Sequence, residues 1–74
     1  MREVVVGGTY RHYKGNVYEV LAVGKHSETC EPVVVYRSKE KGEVWVRPYA
    51  MFLETVTVNG ETLERFSLEE NGKE

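Results

Sequence analysis

The sequence has few of the features that stabilise secreted or membrane-bound domains. Its 74 residues include one cysteine and two prolines. The single cysteine, Cys30, cannot form an intramolecular disulfide, and no apolar run is long enough for a signal peptide or a transmembrane helix. We therefore expect a cytoplasmic protein with no membrane partner.

The chain also lacks a strong excess of charge of either sign, since its net charge is -2. A histone-like protein that binds any nucleic acid would need a large basic excess. The charges are unevenly distributed, however, because residues 1–50 carry a net +2 and residues 51–74 a net -4. This distribution allows a mildly basic face on an acidic protein.

No window has the three- and four-residue apolar spacing of an amphipathic helix. A chain of 74 residues leaves room for one domain with a small core. We expect a single domain over residues 1–74, with an ordered core of about 6–67 and a frayed tail at 69–74.

Alternating apolar residues predict short strands separated by turns. The segment 17–25 is apolar on both sides, which is typical of a long bent strand whose inward face changes along its length. Residues 49–52 suit a single 3₁₀ turn, and Asn59-Gly60 is the strongest hairpin signal in the chain. The predicted strands are 8–13, 17–25, 33–37, 44–47, 55–58 and 61–66.

This order of elements is that of a mostly β, SH3-like barrel. We expect five to six strands with one short 3₁₀ turn, and a C-terminal hairpin as an addition. An OB-like or open-sheet arrangement is the main competing fold.

Several spaced motifs resemble one bacterial family, the domain of unknown function 1653 (DUF1653). They are Gly8-Thr9-Tyr10-Arg11-His12-Tyr13-Lys14-Gly15, His26-Ser27-Glu28-Thr29, Val35-Tyr36-Arg37, Val44-Trp45-Val46-Arg47-Pro48, Met51-Phe52 and Arg65-Phe66. The resemblance covers nearly the whole chain, although residues 38–41 depart from the hydrophobic and aromatic residues expected after the Tyr-Arg pair. It implies a small bacterial domain without an established reaction, cofactor or partner, and so supports the fold more than the function.

The leading candidate site is a set of aromatic and basic residues. Alternation puts Arg11 with Tyr13 on one face of the first strand and Trp45 with Arg47 on one face of the fourth. Rings beside guanidinium groups can stack on exposed bases or hold an extended peptide. The same rings can equally fill the core, with an arginine lying over one of them. The candidate ligand-binding residues are Arg11, Tyr13, His26, Ser27, Glu28, Thr29, Tyr36, Arg37, Trp45 and Arg47.

Four of these candidates form the polar loop 26–29. Polar loops on a rigid barrel often carry binding, and this one would lie beside the groove that SH3-like domains use. Ser27 or Thr29 could also simply close the loop by bonding to its own backbone.

Two histidines, a glutamate and the cysteine form a weaker candidate site, because their spacing lacks the paired ligands of structural zinc sites. They are His12, His26, Glu28 and Cys30. A thiol nucleophile would need a histidine and an orienting group beside it. We expect no metal, no cofactor and no catalytic residue, and Cys30 as a small, partly buried apolar side chain.

The sequence favours a non-enzymatic binding module for single-stranded nucleic acid or an extended peptide. The alternative is an accessory domain that docks on another protein, or on itself, through a sheet edge such as the terminal hairpin. A small-molecule or enzymatic role around His12 and His26 is weaker. We expect a monomer.

Overall fold

The computed structural model describes residues 3–70 and shows a mostly β chain. The elements are β1 (Thr9–His12), β2 (Val17–Lys25), β3 (Pro32–Ser38), β4 (Val44–Pro48), α1 (Tyr49–Phe52), β5 (Thr55–Val58), β6 (Glu61–Glu64) and β7 (Phe66–Glu70). Five of these strands form one antiparallel sheet in the order β4-β3-β2-β1-β7, and β5 and β6 form a separate hairpin. The predicted mostly β fold class is confirmed, but the described residues form seven strands instead of five to six, and the main sheet is open between its edge strands β4 and β7 and does not close into a barrel. Within residues 3–70, no helix is long and apolar enough to cross a membrane.

The end of the chain differs from the sequence prediction. The expected strand 61–66 is divided at Arg65, and the segment that follows pairs with β1 instead of extending the hairpin. Arg65 is fixed at this corner, since its N–H donates to the carbonyl of Glu54 (3.0 Å) and its carbonyl accepts from the N–H of Tyr13 (2.9 Å). Glu69 and Glu70, which we expected in a frayed tail, belong to β7. The rest of that predicted tail, 71–74, lies outside the described residues.

Two local predictions are confirmed and one is corrected. The register between β2 and β3 shifts between Val20 and Ala22, so the inward face of β2 changes along its length. Asn59 and Gly60 both have positive φ, at 51° and 83°, as a two-residue I′ hairpin turn requires. The turn at 49–52 is α-helical instead of 3₁₀.

The core is built mainly from aromatic rings. Phe52 of α1 stacks on Phe66 of β7, with ring centroids 4.2 Å apart, and Tyr36 of β3 meets both edge-on. In a flat sheet β3 and β7 would be about 14 Å apart, so the sheet curls around these rings. The buried core residues are Tyr10, Val20, Val34, Tyr36, Phe52 and Phe66.

We expect Phe52→Ala to lower the free energy of unfolding by about 3 to 5 kcal/mol, because it removes a wholly buried ring from the centre of the core. Chemical denaturation measures this change. Met51→Ala, in the same helix but 41% exposed, is the matched control and should cost less than about 1 kcal/mol. Equal losses in the two variants would contradict the central role of the Phe52 ring.

Candidate functional site

The candidate site lies on the concave side of the curled sheet. Trp45 is opposite Tyr36, and Arg47 is opposite Val34, in the register of β3 and β4. Opposed residues of an antiparallel pair point to the same face. Because Tyr36 and Val34 are in the core, Trp45 and Arg47 lie on the core side of the sheet, which we call the inner face.

Arg47 connects the edge strand to the aromatic core. Its Nε donates a hydrogen bond to the Tyr36 hydroxyl (3.3 Å), and its Cζ lies 5.8 Å from the centroid of the Phe66 ring. A guanidinium group over a ring face is stabilised by the ring quadrupole. Within residues 3–70, no carboxylate pairs with Arg47, so its charge remains available on the inner face.

His12 lies beside the same ring. Its imidazole meets Phe66 edge-on at 4.9 Å and lies 4.6 Å from the Tyr13 ring. Its Nδ1 accepts the backbone N–H of Lys14 (3.2 Å), so the neutral ring carries its proton on Nε2. Partial burial lowers the pKa of His12, and the positive charges of Arg65, Arg47 and Lys14 lower it further.

Arg65 supplies a second guanidinium group, whose N–H donors outnumber the acceptor atoms near it. Its Nε is buried and has no hydrogen-bond partner within the described chain. Its Nη2 lies 3.6 Å from a carboxylate oxygen of Glu54, too far for a strong hydrogen bond. A buried donor without an acceptor costs about 1 to 3 kcal/mol. A ligand that offers oxygen acceptors to this group would reduce that cost.

These residues form what we call the cationic–aromatic site. Tyr18 completes it, because its half-buried ring meets Tyr36 at 5.3 Å and Phe66 at 5.7 Å. The site combines guanidinium donors, one imidazole and partly exposed rings, which suits a ligand that carries both negative charge and flat groups. Its members are His12, Tyr18, Tyr36, Trp45, Arg47, Arg65 and Phe66.

Two predicted ligand-binding residues lie on the opposite, outer face. Arg11 is paired with Glu69 (Nε to Oε2, 2.6 Å), and Arg37 is paired with Glu19 (Nη2 to Oε1, 2.8 Å). The structure therefore does not bring Arg11 next to Trp45. Tyr13 follows the end of β1, and its ring borders the site next to His12.

The predicted recognition loop 26–29 is exposed and closes on itself. The Nδ1 of His26 accepts the backbone N–H groups of Glu28 (3.1 Å) and Thr29 (3.4 Å), and the Thr29 hydroxyl accepts the N–H of Glu31 (3.2 Å). Ser27 is exposed in the same turn. No ring contact or ion pair within residues 3–70 joins this loop to the cationic–aromatic site. Binding by the loop stays a prediction.

The expectation that Cys30 is partly buried is wrong. The residue is exposed, with a φ of 66°, and its N–H donates to the carbonyl of His26 (2.8 Å). This left-handed turn leaves the Cys30 side chain exposed to solvent. In the part of the chain that the structure describes, no three His, Cys, Asp or Glu side chains come together as a metal site would require.

Alternation along the predicted strands did not identify Tyr18, Arg65 or Phe66 as site residues. Tyr18 lies on the same face of the predicted strand 17–25 as Val20, so its position near Tyr36 could have been found from the neighbouring predicted strand. Arg65 could not be found in this way, because it reaches the site through the corner between β6 and β7.

Comparisons with known proteins agree with this fold. No curated protein matches the sequence. A crystal structure of a protein of the DUF1653 family from Bordetella bronchiseptica is similar, with a TM-score of 0.79 and 32% identity, over 95% of this chain and 88% of that one. The family model for the protein of unknown function DUF1653 matches residues 8–68, a range that includes every member of the cationic–aromatic site. The chain therefore belongs to the DUF1653 family.

Proposed function

We propose that the domain is a non-enzymatic binding module that recognises single-stranded nucleic acid through the cationic–aromatic site. The observation that carries the proposal is the position of Arg47 over the Phe66 ring, with His12 at the edge of the same ring and Arg65 close enough to lower the pKa of His12. Both guanidinium groups have spare donors for the oxygens of a phosphate group.

The aromatic members supply the second half of the recognition. Trp45 is 50% exposed, and Tyr18 is half-buried against Tyr36, the residue that Trp45 opposes on β3. Unpaired bases can stack on such rings, at about 1 to 3 kcal/mol for each base, whereas the bases of a duplex are covered by their neighbours. A single strand therefore fits better than a double helix.

The charge balance sets the affinity. The whole chain carries a net charge of -2, so long-range attraction of a polyanion is weak. Binding depends on local contacts to a few phosphates and bases, and it should be modest and sensitive to salt.

The surroundings of His12 favour binding over catalysis. A general base is usually oriented by a carboxylate or another acceptor, whereas the Nδ1 of His12 is held by a backbone N–H and its neighbours are cations. These contacts hold the imidazole in its neutral form as a hydrogen-bond donor.

Replacing either arginine of the site with glutamine should weaken binding of a labelled single-stranded RNA or DNA about tenfold, because a charge-assisted hydrogen bond is lost. Fluorescence anisotropy at two salt concentrations measures the affinity, and the salt dependence should fall with each variant. Arg37→Gln removes the same charge from the outer face and is the matched control.

Three outcomes would change this proposal. Amide shifts of the inner face with extended peptides but none with oligonucleotides would assign the site to peptides. Equal losses for Arg37→Gln and Arg47→Gln would move the ligand off the inner face. A flat response of Trp45 fluorescence and amide shifts to both ligand classes would reject a binding module.

The pKa of His12 should rise when the oligonucleotide binds. In the free protein burial and three cations favour the neutral ring, so the pKa of His12 lies below the ordinary histidine value of about 6.5. A phosphate between the arginines offsets those charges and favours the protonated ring. Affinity should therefore increase as the pH falls below about 6.5, and NMR titration of the His12 ring with and without oligonucleotide tests this.

His12→Asn is the matched variant for this titration. It keeps a polar side chain and should remove the increase in affinity at low pH. A His12 pKa that is the same in the free and saturated protein would show that the bound phosphate lies away from the imidazole.

A further inference from the structure

The free edge of β4 has the properties of a self-association surface. We propose that a second copy of this chain pairs antiparallel with β4, so that two five-stranded sheets join around a two-fold axis at Trp45. The inference rests on which backbone N–H and C=O groups of β4 face the open edge, on the exposure of its side chains and on its pattern of charges. It does not depend on the proposed function.

The hydrogen bonds between β3 and β4 show which backbone groups of β4 face the open edge. The N–H of Ser38 donates to the carbonyl of Glu43 (2.8 Å), so these two residues are a hydrogen-bonded pair. Tyr36 and Trp45 oppose each other two positions further along the ladder. In an antiparallel ladder alternate residues bond to the same neighbour. Glu43, Trp45 and Arg47 therefore bond toward β3, whereas the N–H and C=O groups of Val44 and Val46 point to the open edge.

The two edges of the sheet are protected differently. Edge strands are commonly guarded by charged side chains, and β7 carries Glu69 and Glu70. The three central residues of β4 are apolar and among the most exposed large hydrophobic residues of the described chain, at 56% for Val44, 50% for Trp45 and 62% for Val46. β4 is therefore the edge that favours pairing.

The sequence of β4 selects one register for this pairing. With Trp45 on the two-fold axis, Val44 opposes Val46 of the second copy in a hydrogen-bonded pair, and the two indoles meet in a closer, non-hydrogen-bonded pair. Glu43 and Arg47 then oppose each other twice, with opposite charges. All of these contacts are complementary.

The two nearest registers that pair the same backbone groups of β4 are less favourable for association. A shift in one direction opposes Val44 to Pro48, which has no N–H to donate. A shift in the other direction opposes Arg47 to Lys41, which is a like-charge pair. Pairing around Trp45 also uses both β4 edges, so association stops at the dimer. Since the strand has only five residues, the dimer should form at high protein concentration and dissociate on dilution, where the monomer expected from the sequence would remain.

Reciprocal charge variants test the register. Glu43→Arg creates two like-charge contacts in its own dimer, and Arg47→Glu does the same, so each variant alone should be monomeric. An equimolar mixture of the two restores both opposite-charge contacts and should dimerise. Sedimentation velocity from about 10 μM to about 1 mM measures the mass, and emission of the single tryptophan should change with concentration in the natural sequence.

Two further variants keep the test decisive. Glu40→Arg changes the same charge in the exposed turn before β4 and should dimerise like the natural sequence. Val46→Lys, at an exposed position outside the core, should abolish dimerisation even if Arg47→Glu fails to fold. A natural chain that stays monomeric at about 1 mM, a Val46→Lys variant that dimerises normally, or a mixture of folded charge variants that stays monomeric would overturn the proposal.

Discussion

The parallel stack of Phe52 on Phe66 is the contact on which the rest of the structure depends. A chain of this size has few buried side chains, and these two rings join the helix after β4 to the last strand of the sheet. Tyr36 then packs edge-on against both, which brings β3 toward β7 and curls the sheet. Phe66 also contacts His12 and lies below Arg47. The core and the candidate site therefore share one ring, and the stacking that stabilises the fold also positions the cations.

Separation of charge between the two faces explains how an acidic chain can present a basic surface. On the outer face Arg11 and Arg37 are compensated by glutamates within 3 Å. On the inner face Arg47 has a hydroxyl and a ring as neighbours, and Arg65 has one distant carboxylate. Net charge sums over both faces and hides this difference. The surroundings of His12 describe the inner face better, because burial and then the positive charges of Arg65, Arg47 and Lys14 lower the pKa of its imidazole.

The sequence predicted what depends on neighbours along the chain. The bounds of the strand 17–25 and the Asn59-Gly60 turn follow from alternation and from the φ values that the turn demands. The position of Trp45 and Arg47 on the inner face depends on which face of β4 meets the core. The proximity of Arg65 to His12 depends on the pairing of β7 with β1. The pairing of β7 with β1 joins residues more than fifty positions apart. Local alternation encodes neither this pairing nor the side of β4 that meets the core, because one strand can alternate equally well beside several partners.

Trp45 and Arg47 belong both to the ligand surface and to the proposed dimer edge, so the two uses of the inner face are coupled. Arg47 and His12 contact the Phe66 ring and Arg65 lies near His12, whereas Trp45 lies on the outermost strand, with half of its surface exposed. In the proposed dimer the two indoles cover each other, and Glu43 of each copy opposes Arg47 of the other. Because a two-fold axis in a continuous sheet keeps both inner faces on the same side, His12 and Arg65 of the two copies would flank one pair of tryptophans. The dimer would therefore use Trp45 and Arg47, which the ligand also needs, so ligand binding and dimerisation would oppose each other.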